Sequence, residues 1–183
     1  QTGDAYLSGP VRTKLAAAEA AAALDPTFER NVRALVAVQP SPLRPSDITA
    51  RLGAPWIPAA DVVAFVKATM DAEIKIHHMP ALGSWTVEAR QLAYRAAGTS
   101  EWGTSRRHAG ELLADALNSR VPQIFDTFKD SGGERRVLNV VDTEAAREKL
   151  QKIKTEFERW VWTDPERTDR LAGVYNERFN NLA

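Results

Sequence analysis

The residues with the chemistry to act on a ligand are few and scattered along this chain. Its three histidines are His77, His78 and His108, and imidazole is both the commonest metal ligand and the side chain that titrates near neutrality. Neighbouring strand residues point to opposite sides, so His77 and His78 cannot close on one ion from a regular strand. Solvated or packed histidines are the competing reading. Ser84 and Ser105 lack an identifiable base and orienting acid, which leaves nucleophilic catalysis unsupported. The absence of cysteine excludes disulfides and thiolate metal sites. The paired glycines Gly132-Gly133 lie between two strand-like runs with no helix behind them, and no Gly-x-x-x-x-Gly-Lys-Ser/Thr loop occurs, so ATP binding within the chain is not expected. A Gly-x-Gly-x-x-Gly cofactor turn and an Asp-Pro-Pro-Tyr run, of the kind that grips an amino group for methyl transfer, are missing too. The sequence predicts no catalytic residue, no metal and no cofactor.

Binding chemistry is better represented. Residues 74–108 hold Lys75, Arg90, Arg95, Arg106 and Arg107 against the carboxylates Glu88 and Glu101, a local excess of positive charge in a chain whose 24 basic and 24 acidic residues balance. Arginine meets phosphate through a planar fork, and Trp85, Tyr94 and Trp102 are interleaved for stacking on bases. The plainer reading makes those aromatics core and those arginines solvated.

These residues need elements to position them. The alanine-rich run to Leu24, capped at Ser8, predicts a first helix, and Asp25-Pro26 starts a second with Phe28, Val32, Leu35 and Val36 on its packing face. Gln39-Pro40-Ser41-Pro42-Leu43-Arg44-Pro45 reads as a connector and subdomain boundary. A short helix over 47–52 ends at Gly53, and a longer one follows over 58–70. From Glu73 the period changes to strict alternation, Ile74, Ile76 and His78 against Trp85 and Val87 across a turn at Pro80 to Gly83, which predicts a β-hairpin. Helical period returns over 104–118, and residues 121–128 and 135–141 form a second hairpin. Thr143 or Asp142 caps a long helix with a seam of Ala146, Leu150, Ile153, Phe157, Trp160 and Val161, and Asp164-Pro165 starts a final one.

The predicted class is α+β, predominantly helical with two short β-hairpins. Its expected divisions are a helical hairpin over 1–39, a helix and hairpin unit over 46–141, and a C-terminal helical part over 142–183. Helix, glycine turn, helix and hairpin over 46–88 is also the order of a winged-helix module. Its second helix, however, offers Ala59, Ala60, Asp61, Ala64 and Lys67 on the polar side, with no Asn, Gln or Arg to read base edges.

Several runs carry a resemblance. Tyr6-Leu7-Ser8-Gly9-Pro10-Val11-Arg12-Thr13-Lys14-Leu15, Arg51-Leu52-Gly53-Ala54-Pro55-Trp56-Ile57-Pro58 and Gly103-Thr104-Ser105-Arg106-Arg107 stand upstream. Leu138 to Leu150, Trp160-Val161-Trp162-Thr163-Asp164-Pro165-Glu166-Arg167 and Tyr175 to Asn180 stand at the end. In these runs the chain resembles the very large DNA methylase/helicase proteins of phages, plasmids and other mobile elements. There a segment of this kind lies between an adenine-specific methylase half and a Swi/Snf-type helicase half. The resemblance, with an opening at Gln1 that has neither initiator Met nor leader, implies an internal piece of a cytoplasmic, ATP-dependent DNA helicase. Its partners would be DNA, held through Lys75, Arg90, Arg95, Arg106 and Arg107, and the adjacent methylase and helicase domains. No apolar run is long enough for a bilayer. Two functions follow from the resemblance: a non-catalytic linker that engages DNA, or a purely structural module that orients the two halves.

Overall fold

Alanine and proline shape the first of two units. The computed structural model describes residues 3–183 and divides them into residues 3–49 with Pro165–Ala183, and Ala50–Asp164. Gln1 and Thr2, which open the expected 1–39 hairpin, lie outside the described residues.

In the first unit a short α1 (Gly3–Tyr6) precedes α2 (Val11–Leu24), which follows Pro10 without a side-chain cap, so the cap expected from Ser8 is not formed. Asp25 does cap the turn Pro26–Phe28, its carboxylate accepting from the Thr27 amide at 2.9 Å, and α3 (Glu29–Ala37) continues from there. The two helices bury Val11, Ala18 and Leu35 with Leu15 and Val32 packed around them. Phe28 and Val36, expected on that face, are instead exposed.

The proline-rich stretch is no free connector. Asn176, on the last helix α7 (Pro165–Phe179), accepts from the Leu43 amide at 2.8 Å and donates to the Leu43 carbonyl at 3.0 Å, and Asn180 donates to the Ser41 carbonyl. The two ends of the chain also meet. The Gly9 amide donates to the Ala183 carbonyl at 3.0 Å, the Ala183 amide returns a bond to the Gly9 carbonyl, and the Val11 amide donates to the Asn181 carbonyl at 2.9 Å. Arg12 fastens the junction through Nε to the Asn180 carbonyl at 2.7 Å and one terminal nitrogen to the Pro40 carbonyl at 2.9 Å. The division therefore differs from the expected one: α7 belongs with the N-terminal helices, because its asparagines satisfy backbone groups that proline leaves without ladder partners.

The second unit begins with a tight turn at Gly53, whose φ of +89° favours glycine and where a Cβ would stand 2.6 Å from the Leu117 carbonyl oxygen. The helix expected over 47–52 is absent; a single turn, Pro45–Asp47, stands in its place, and Ile48 and Ala50 are buried in non-helical backbone. One helix, α4 (Ala59–Met70), then precedes the hairpin, so the two-helix order that resembled a winged-helix module is not formed. Strands β1 (Lys75–Met79) and β2 (Ser84–Glu88) form the hairpin that alternation predicts, and pair with Ile76 opposite Val87 and His78 opposite Trp85.

Helix α5 (Ala109–Leu117) starts later than the expected 104, because His108 and Glu111 form a capping box. The His108 ring accepts from the Gly110 amide while Glu111 accepts from the His108 amide. Strands β3 (Phe125–Asp130) and β4 (Gly133–Leu138) pair with Phe128 opposite Arg135. Helix α6 (Val140–Trp160) is capped by Asn139, one turn ahead of the expected Asp142 or Thr143. Thr143 faces inward, where its hydroxyl accepts from the Ile124 amide at 2.9 Å. Ala146, Leu150, Ile153 and Phe157 are buried along the predicted seam, with Phe65 of α4 meeting Phe157 edge-on at 5.2 Å. Among the described residues no helix is long and apolar enough to cross a membrane.

Candidate nucleic-acid interface

Two of the five predicted cations are paired with carboxylates within the fold. Gly103 lets the loop of residues 103–107 turn tightly, Thr104 and Arg107 bond backbone to backbone at 2.9 Å, and this aims the Arg107 side chain inward. Its guanidinium grips Asp115 in a two-pronged pair, Nε to Oδ2 at 2.6 Å and a terminal nitrogen to Oδ1 at 2.8 Å. The Asp115 side chain is 2% exposed, and Arg120 approaches the same carboxylate at 3.4 Å. The hydrogen bond to Asp115 holds the Arg107 pKa above its ordinary value, so this arginine is locked in its charged form.

Arg106 points the other way. One terminal nitrogen donates to Asp126 at 2.8 Å and to Asp142 at 3.0 Å, and the other donates to the Phe125 carbonyl at 3.0 Å. It thereby fastens the root of the β3–β4 hairpin to the first turn of α6. The Arg106 hydrogen bond, followed by one from Asn139, holds the Asp126 carboxyl below its usual range. A carboxyl lowered in the folded state contributes stability that is complete above its unfolded pKa of about 3.9 and fades as pH falls toward the folded value. Arg106→Ala is expected to move the Asp126 titration, followed by carbon-detected NMR, up toward the usual carboxylate range. A titration that stays put would credit the lowering to Asn139 alone.

Arg95 donates to the Asp71 carbonyl at 2.6 Å, where the chain leaves α4 in a left-handed conformation with φ of 48°. It has a carbonyl for partner, so its charge stays uncompensated. Lys75 and Arg90 are exposed, have no carboxylate within ion-pair distance among the described residues, and line one open cleft of about 800 Å³ together with Glu73, Glu88, His108 and Glu111. Of the three interleaved aromatics only Tyr94, 88% exposed, is presented to solvent. Trp85 is buried with the His78 ring stacked on it at 3.7 Å, and Trp102 is buried beneath the Lys152 ammonium at 4.1 Å. The structure thus leaves Lys75, Arg90, Tyr94 and Arg95 as accessible groups and withdraws Arg106, Arg107, Trp85 and Trp102.

The histidines serve the scaffold: His77 lies 3.8 Å from Glu88, His78 stacks, and His108 caps α5. Among the described residues no group of three His, Cys, Asp or Glu is placed to hold a metal ion.

Two cations escaped the sequence reading. Arg135 and Arg136 stand on β4 with their guanidinium groups over the rings of Phe128 and Phe125, at 5.9 and 4.5 Å from the centroids. The signal was the pairing of Phe-x-x-Phe on one strand with Arg-Arg on the next, which becomes legible only once the register is fixed.

Residues 51–181 match the model of a domain family of unknown function, DUF8437. The chain belongs to this family. The matched stretch takes in the whole cleft, both hairpins and all of α7, while the Tyr6 to Leu15 run and its partner at Ala183 lie outside it. A search of curated proteins and a search of solved structures gave no match.

Proposed function

We propose that this chain is a non-catalytic linker module of a mobile-element DNA methylase/helicase and that it holds duplex DNA by the phosphate backbone. The observation that carries the reading is that Lys75, Arg90, Tyr94 and Arg95 are exposed and that the three cations form no ion pair among the described residues, although Glu73, Glu88 and Glu111 share the cleft, while the chain's other candidates for chemistry serve as caps, stacks and internal pairs. Backbone contacts of this kind position a duplex without reading its sequence. The resemblance supplies the setting, an ATP-dependent helicase half on one side and an adenine-specific methylase half on the other.

A random-sequence labelled duplex tests it. Binding is expected at about 50 mM salt and loss of most of it at about 200 mM, with K75A/R90A lowering the salt slope by roughly 2. Equal binding at the two salts, or none at the lower, contradicts the reading. The second reading, a module that only orients the two halves, is favoured by the pairing of Arg106 and Arg107 with carboxylates of the chain itself. It expects no duplex binding at either salt.

A further inference from the structure

The β3–β4 hairpin is an arm fixed at its root and bare beyond it. Arg106 on Asp126 and the Phe125 carbonyl, with the Asn139 amide on Asp126 at 2.9 Å, hold the base. From Thr127 to Leu138 every residue is exposed, on both faces of the ribbon. A two-stranded hairpin is marginal by itself in water, and one that leaves Phe128, Val137 and Leu138 39 to 49% exposed has a surface still to be used.

Its charges identify the partner. Asp126 is paired with Arg106 and Glu134 lies 3.9 Å from Lys129, which leaves Asp130, whose carboxylate accepts the Gly132 amide in closing the turn, as the arm's one anion without a cation beside it among the described residues. Arg135 and Arg136 have aromatic rings beneath them and, among the described residues, no carboxylate within ion-pair distance. The register sets them on opposite faces, Arg136 with Phe125, Thr127 and Lys129, and Arg135 with Phe128 and Val137. A ribbon with side chains on both faces is about 10 Å thick, which suits a major groove about 12 Å wide. Guanidinium forks on its two faces then meet the phosphates of the two strands that wall the groove.

We infer that the β3–β4 arm is a second DNA contact, entering the major groove with Arg135 and Arg136 on opposite phosphate walls. This rests on the duplex-binding reading above and adds an element to it.

The test uses the full chain, a labelled random duplex, the variants R135A/R136A and K75A/R90A, and Phe128→p-benzoylphenylalanine for photo-cross-linking. Because the arm's side chains are exposed, R135A/R136A is expected to keep the wild-type Tm while weakening binding about tenfold and lowering the salt slope by roughly 2. The probe at position 128 is expected to cross-link to the duplex. Wild-type affinity and slope in R135A/R136A, with loss in K75A/R90A, would overturn the arm and leave the cleft reading standing. Absence of binding by the wild type overturns both. A cross-link to a second copy of the chain in place of DNA makes the arm a homotypic docking edge and likewise overturns the inference.

Discussion

Arg107→Ala is expected to lower the unfolding free energy by about 3 kcal/mol, and Asp115→Leu added to it to restore most of that loss. The asymmetry follows from burial. Asp115 has a side chain 2% exposed, so removing Arg107 strands a carboxylate away from water, with Arg120 at 3.4 Å as a weaker substitute. Arg107 is 28% exposed, so Asp115→Leu alone lets both arginines turn to solvent and costs less, about 1 to 2 kcal/mol. Urea midpoints of the two single variants and the double variant give the three numbers. A wild-type midpoint in Arg107→Ala would mean that Arg120 can take over the carboxylate completely.

Gly98→Ala is expected to cost about 3 kcal/mol by forcing backbone apart, a larger penalty than most surface substitutions bring. A Cβ at Gly98 would stand 1.8 Å from the Leu92 carbonyl oxygen and 2.6 Å from its carbon, and a Cβ at Gly103 would stand 2.1 Å from the Gly98 carbonyl oxygen and 2.5 Å from the Ala109 amide. Backbone at 92, 98, 103 and 109 is therefore in direct contact, and no flexible side chain can yield. The same substitution at Gly173 meets nothing within 4 Å, in the exposed part of α7, and is expected to gain about 0.5 to 1 kcal/mol from helix propensity. Thermal unfolding of the two variants side by side separates close approach from propensity. A Gly98→Ala protein as stable as wild type would show that the four segments can separate freely.

What the sequence made legible is what short-range pattern encodes. Alternation around Ile76, His78, Trp85 and Val87 located the first hairpin, though not its register, and three- and four-residue steps from Ala146 to Phe157 located the seam of α6. Cap chemistry was half legible: Asp25 and the acid-proline start of α7 read correctly, but His108 as a cap and Asn139 ahead of Asp142 did not, since several residues in each stretch could serve. The fate of the arginines was hidden for a different reason. Arg106 meets Asp126 and Asp142, 20 and 36 positions away, and no local pattern distinguishes an arginine aimed at solvent from one aimed at a distant carboxylate. Proline misled for a related cause, because the groups it leaves unpaired near Leu43 are answered by Asn176, 133 positions on.

The bonds between Gly9 and Ala183, fastened by Arg12, have a mechanical meaning. Tension applied to the two ends of the chain is taken up between residues 9–12 and 180–183, so Ala50–Asp164, which leaves and rejoins the first unit as a closed excursion, lies off the path of the pull. A pull on residues 9 and 183 would therefore open that short zipper before it strained either hairpin.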